Sequence, residues 1–365
     1  MQLNRAAQIK QFWTACQRRL FPVLAEELGV LTEKHQALAA AFCILDLADA
    51  DAGDSGATGR PPHDRLAILR ALLAKSCLNL STTRQLLDRL RTDATLRRLC
   101  GWERAQAIPS ESVFSRTFAQ WAESGMLEQV QEKLVRKTYQ GRLVGHVIRD
   151  ASAIPAREKP VKKQPPPVQE KRRRGPRRKD DPKPKSRLER QPSMSIPEMV
   201  ADLPKVCDRG VKIGSDGKKQ RWTGYKLHWD ISDNLIPLSC LVTSASLHDS
   251  QAAIPLAATT AQRVTACYEL MDKGYHSEDI QKYCEGLGHV VLIPDVERQG
   301  KPAVPMAPAA KKRYEMRGMI EQLTARLKDE FGGRHIRVRG WRKVLAHLML
   351  GVLMLSVDQL LRLVT

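Results

Sequence analysis

At 365 residues, 42% of them hydrophobic, the chain can bury a substantial core, which excludes disorder over its whole length. Sixty Lys and Arg against forty Asp and Glu leave a net charge of +20, so a polyanion is the expected partner, with nucleic acid ahead of an anionic membrane surface. Eight scattered cysteines with no C-x-x-C pair argue against a zinc site and a small disulfide scaffold, and fit a reducing cytoplasm.

Residues 5–140 read as an all-α module. Apolar residues recur at three- and four-residue spacing near 8–29, 33–49, 63–79, 82–91, 111–122 and 126–139. Thr82 with Gln85 forms a capping box, and Ser110 precedes another helical pattern. Polar residues at Asn4, Arg5 and Lys10 interrupt any apolar run at the start, so no secretory leader is expected. Arg84, Arg89, Arg91, Arg97 and Arg98 cluster on two helices of the module, either as a DNA-reading face or as a solvated one. Trp102, Trp121 and Trp341 are expected to be core anchors.

The pattern changes at 143. Leu143–Ile148 is a short apolar run ending at Asp150. Residues 155–192 then hold nine prolines and the run Lys171, Arg172, Arg173, Arg174, Arg177, Arg178, Lys179. Residues 151–190 carry fifteen Lys and Arg against five acids, half of the net charge. So polar a segment cannot offset its ordering entropy, and disorder is expected until it meets an anion. Residues 193–220 are ambiguous beyond one short helix near 196–203.

Beyond that point strands and helices alternate. Trp222–Ile231 and Leu235–Ser244 read as neighbouring strands about a turn at Asp233 and Asn234. A helix over Asp249–Arg263 with Asp249 as its N-cap, a strand Cys267–Met271, a helix Ser277–Leu287 and a buried strand His289–Ile293 follow. Lys311–Phe331 and Trp341–Leu363 read as two long closing helices. Within the second, Val344–Val357 is about fourteen mostly apolar residues, where a membrane span needs about 20, so a buried helix is expected. The result is an α/β domain with a mixed sheet.

Asp150 and Asp272 each follow an apolar run, and carboxylates at strand ends project into the crevice where α/β sheets bind ligands. On the 311–331 helix, at about 100° per residue, Tyr314, Arg317, Glu321 and Lys328 share one face, within about 60°. Met316, Ile320, Leu323, Leu327 and Phe331 line the opposite one. Taken alone, such a charged face is more often solvated than functional.

The spacing Tyr314-x2-Arg317-x3-Glu321-x6-Lys328, however, resembles the Y-x2-R-x3-E-x6-K signature of bacterial insertion-sequence DDE transposases. Val147-Ile148-Arg149-Asp150 and Met271-Asp272-Lys273-Gly274-Tyr275 are similar to that family's first and second aspartate motifs. Gly224–His228 and Thr243–Ser250 resemble its strand signatures, and Pro109–Arg116 its N-terminal helical domain. The resemblance implies an RNase H-like catalytic core interrupted by the basic insert at about 155–220. On that reading residues 141–365 are catalytic and 1–140 form a helical module for DNA-end binding and dimerisation.

It also implies a catalytic triad of Asp150, Asp272 and Glu321 holding two Mg²⁺ ions, with Mn²⁺ able to substitute. Asp150 bridges both ions in that scheme. In-line displacement at phosphorus suits two such ions about 3.5–4 Å apart, one on each of the attacking and leaving oxygens. Arg317, Lys328 and Tyr314 would handle the transposon-end strand, with the Lys171–Lys179 run on phosphates. The implied partners are the terminal inverted repeats and target DNA, met by a homodimer at the nucleoid, with no membrane. Arg149 either contacts DNA or pairs with a carboxylate, and His228, His248 and His276 are second-layer or structural groups. Only 48 residues separate Asp272 from Glu321, too few for a large insertion domain. A transposase-derived DNA-binding protein that no longer cuts is the alternative, and a basic RNA-binding scaffold the third reading.

Overall fold

A computed structural model describes residues 31–45, 47, 63–161, 185–213, 217–297 and 302–364. The expected 8–29 helix and the Lys171–Lys179 run lie outside these. The first half is helical, as its periodicity requires: α1 (Glu33–Ile44), α2 (Arg65–Cys77), α3 (Thr83–Thr92), α4 (Ala94–Cys100), α5 (Glu111–Ser124) and α6 (Met126–Tyr139). The Thr82–Gln85 capping box forms as expected, whereas Ser110 makes no side-chain cap bond. The sequence reading missed α4. It begins at Asp93, whose side chain accepts from the Leu96 amide, and ends at Gly101 in a left-handed conformation.

β1 (Leu143–Pro155) opens the sheet, followed by a short helix α7 (Ile196–Asp202), β2 (Asp208–Ile213), β3 (Lys219–Ser232) and β4 (Pro237–Ser244). Next come α8 (Ala253–Ala261), β5 (Thr265–Leu270), α9 (Glu278–Gly286) and β6 (Val290–Leu292). The strand order is β2-β3-β1-β5-β6, with β4 also on β3. β1 runs antiparallel to β3 and parallel to β5, so the sheet is mixed, with an RNase H-like arrangement behind an all-helical region.

Four expectations change here. β1 does not stop near Asp150 but continues through five further residues, because Ala151–Pro155 pair with Gly224–His228 of β3. The end of the segment expected to be disordered is ordered, with a helix at Arg187–Arg190, Gln191 buried and Arg187 paired with Asp202, and the ambiguous 193–220 region holds β2 as well as the short helix. β6 is an edge strand with Val290 exposed and Leu292 buried, so the His289–Ile293 run is only partly interior.

The closing segment is not one helix from 311 to 331. It is α10 (Pro308–Tyr314), a 3₁₀ turn Glu315–Gly318, and α11 (Met319–Asp329). α12 (Trp341–Arg362) is long and apolar enough to cross a membrane by length and composition, yet most of it is buried inside the molecule. It packs on α2, α5, α6 and β4, and one hydrophobic core runs through the helices and the sheet. Gly351 permits α12 to approach the end of α11: a Cβ there would stand 2.6 Å from the Phe331 carbonyl oxygen. Trp102 and Trp121 are buried as expected, while Trp341 is half-buried under Lys205 and Arg342.

Candidate active site

Alternation along β1 sends Arg149 and Asp150 to opposite faces of the sheet. Behind the sheet, Arg149 is 1% exposed and pairs with Asp230 of β3 through two bonds of 2.8 Å. Its second carboxylate partner is Glu269 of β5, at 2.7 Å. Thr260 donates to Asp230, and the His289 ring bonds Glu269 at 2.7 Å. Burial works against a charged Glu269, but Arg149 and His289 outweigh it and hold its carboxyl down to about 2. Arg149 therefore belongs to carboxylates and not to DNA, and it joins the three central strands through one guanidinium.

In front of the sheet the elements bring the candidate triad around Arg317. Asp150 sits mid-strand on β1, opposite Trp229. Asp272 follows β5 directly, and its carboxylate accepts from the Gly274 amide at 2.8 Å, which turns the chain away from the sheet. Glu321 lies in the first turn of α11, and Arg317 in the 3₁₀ turn one step earlier. The Arg317 guanidinium is 3.4 Å from Asp150, 3.8 Å from Asp272 and 3.4 Å from Glu321. Exposure rises along the set, from 20% for the Asp150 side chain to 67% for Glu321.

Burial pushes the Asp150 carboxyl up to about 6, against the pull of Arg317, with Asp272 and Asp249 adding repulsion. Burial would lower the pKa of Arg317, yet Asp150, Tyr314, Asp272 and Glu321 together hold it above its ordinary value. Tyr314 ends α10, half-buried against the core, and burial raises its hydroxyl. Lys328, seven residues beyond Glu321 on α11, donates to Ser152 Oγ at 2.6 Å, so it reaches β1 two residues past Asp150. Burial, then Arg334 and Lys212 beside it, lower its pKa.

The three carboxylates are hard oxygen donors that share a single positive charge, which fits a divalent cation in chemistry and in charge. As placed, no group of three or more His, Cys, Asp or Glu side chains among the described residues is close enough to hold an ion. Two buried polar atoms at this spot, Tyr275 Oη and Arg317 Nε, have no hydrogen-bond partner among the described residues. Asp272 and Glu321 are partly open to solvent, and the cavity lined by Arg136, Arg142, Arg263 and Thr265 lies at the other end of β1 and β5.

Several expected roles change. Asp249 does not cap a helix. It sits in a 3₁₀ turn and binds Lys226 Nζ at 2.7 Å, so Lys226 is a group near the site that the strand motif alone did not single out. His228 is structural: it bonds Thr243 Oγ1 at 2.8 Å, and burial drops its pKa to about 4. His248 bonds Ser250 and His276 pairs with Asp295. In the helical module Arg89, Arg91 and Arg98 pair with Asp93, Asp88 and Glu103, and Arg97 donates to three backbone carbonyls.

Comparison with known proteins bears on the family of the chain. A family model described as a transposase DDE domain matches residues 146–357, and a second, described as a transposase domain, matches residues 29–120. No match is found among curated proteins or among solved structures. The first model spans more than half of the chain, from the middle of β1 nearly to the end of α12, and the chain belongs to the DDE-domain transposases of insertion sequences.

Proposed function

We propose that the protein binds the terminal inverted repeats of its own element, cuts the 3′ strands there and joins them to target DNA. The observation that carries this reading is the convergence of Asp150, Asp272 and Glu321 on one guanidinium, with Asp272 and Glu321 reachable from solvent.

Members of the family generally use divalent metal ions. Asp150, Asp272 and Glu321 are the residues that would hold them, Mg²⁺ by choice and Mn²⁺ as a substitute. Bound there, the ions would supply charge stabilisation to both the attacking and the leaving oxygen. The chain's own groups do the rest. Arg317 grips a substrate phosphate through its planar fork, and Lys328 places a point charge along the same strand. Tyr314 bonds a phosphate or stacks on a displaced base. The Lys171–Lys179 run tracks phosphates without reading sequence. The 1–140 module binds the ends and pairs two copies, since joining two ends calls for two active sites. The enzyme works at the nucleoid.

Purified protein is given a DNA fragment carrying the gene's native flanks, with and without Mg²⁺, beside Glu321→Gln. Metal-dependent nicks at an inverted-repeat boundary, absent in the variant, are expected. Binding without cleavage in any divalent ion would overturn the enzyme reading in favour of a DNA-binding protein that no longer cuts.

A further inference from the structure

Beyond the carboxylate site, the strongest unexplained surface is the ribbon made by β2 and the first residues of β3. Its register pairs Arg209 with Thr223, Val211 with Arg221 and Ile213 with Lys219. Alternation puts these six side chains on one face and Gly210, Trp222, Lys212 and Gln220 on the other. The second face is anchored. Trp222 lies over Gly210 so closely that any Cβ there would collide with its ring, and its Nε1 donates to the Tyr225 carbonyl at 3.1 Å. The first face is open. Val211 is 56% and Ile213 65% exposed, and Arg209, Lys219 and Arg221 are exposed beside them.

Exposed aliphatics alternating with cations on a sheet edge need an explanation. Residues 208–224 hold five cations against two acids, so a second copy of the ribbon would bring like charge onto like charge. The charge instead complements a polyanion, and a two-stranded ribbon fits the major groove of B-DNA. Position supports this as well. Lys212 on the anchored face lies near Lys328, which holds Ser152 two residues beyond Asp150. The ribbon therefore borders the carboxylate site.

We propose that the open face of this ribbon is a duplex-DNA contact surface, with Arg209, Lys219 and Arg221 on backbone phosphates and Val211 and Ile213 against sugars or thymine methyls. It rests on the proposed transposase function and adds a second hold on the substrate, outside the signature residues. The contact is sequence-independent in its charged part.

The test compares the full chain with Lys219→Glu/Arg221→Glu and with the charge-keeping Lys219→Arg/Arg221→Lys. Binding to a short fluorescent duplex of unrelated sequence is followed by anisotropy across a KCl series, and thermal unfolding confirms that all three fold alike. Loss of two phosphate contacts, at about 0.9 each, should flatten the slope of log K against log salt by about two in the first variant. The charge-keeping pair should match the parent. An unchanged slope and affinity in a parent that does bind overturns the ribbon proposal alone. So does a change confined to sedimentation, with a dimeric parent and a monomeric variant that binds DNA equally well. A parent that binds no duplex overturns the transposase reading along with it.

Discussion

The two faces of β1 hold similar charges in opposite circumstances. Behind the sheet, Arg149 and two carboxylates are buried, bonded at 2.7–2.8 Å and closed to solvent. In front, Arg317 and three carboxylates meet at 3.4–3.8 Å, partly exposed, with a raised Asp150 pKa. Replacing a buried ion network with apolar residues is often neutral or stabilising, so the rear set contributes strand register more than net stability. The front set is under-neutralised, so its carboxylates can take further cations while Arg317 is free to turn to a phosphate. One strand therefore carries a structural joint and a reactive site on adjacent residues.

The sharpest way to break this comparison is to remove the rear guanidinium. Arg149→Met strands Asp230 and Glu269 as buried charges and should cost about 3–5 kcal/mol in urea unfolding. Adding Asp230→Asn and Glu269→Gln should recover most of that. If the single variant is as stable as the parent, the rear network is not a joint.

The front site should behave with the opposite sign. A carboxyl with a raised folded pKa destabilises the fold as it ionises, so stability should fall as pH rises from about 4 to about 6 and level off above. The shift from 3.8 to about 6 bounds the effect near 3 kcal/mol, and Asp150→Asn should abolish that part of the pH dependence. Equal pH profiles for the two proteins would place Asp150 in water.

A packing control away from both faces is Gly351→Ala, which forces α12 off the Phe331 carbonyl. It should cost about 1–3 kcal/mol by thermal unfolding without altering the pH profile. The smallest stability effect belongs to Glu321→Gln. Its side chain is 67% exposed, so unfolding should move by less than about 0.5 kcal/mol while cleavage disappears.

Local patterns made much of this fold legible. Apart from α4, the helices of 33–139 and the β3–β4 hairpin follow from periodicity and turn chemistry, and Asp272 stands just beyond a strand as expected. What escaped was set by distant pairing. β1 continues past Asp150 only because β3 lies beside Ala151–Pro155, residues whose own pattern says little. β2 is short and exposed along most of its length, so its Val211 and Ile213 mark no buried face to read. Arg149 looked like a possible DNA contact because its partners come from two other strands. The break at Glu315–Gly318 is invisible to a 3.6-residue period, since one 3₁₀ turn barely shifts the faces, and Arg317 and Glu321 still reach each other across it.

The measurement that bears most directly on the account takes Asp150→Asn at pH 7 and records both unfolding free energy and metal-dependent cutting of terminal-repeat DNA. A site residue held at a cost to stability predicts a variant that is more stable than the parent and cuts nothing. A variant that still cuts, or that is inactive because it unfolds more easily, would contradict the division between the two faces of β1.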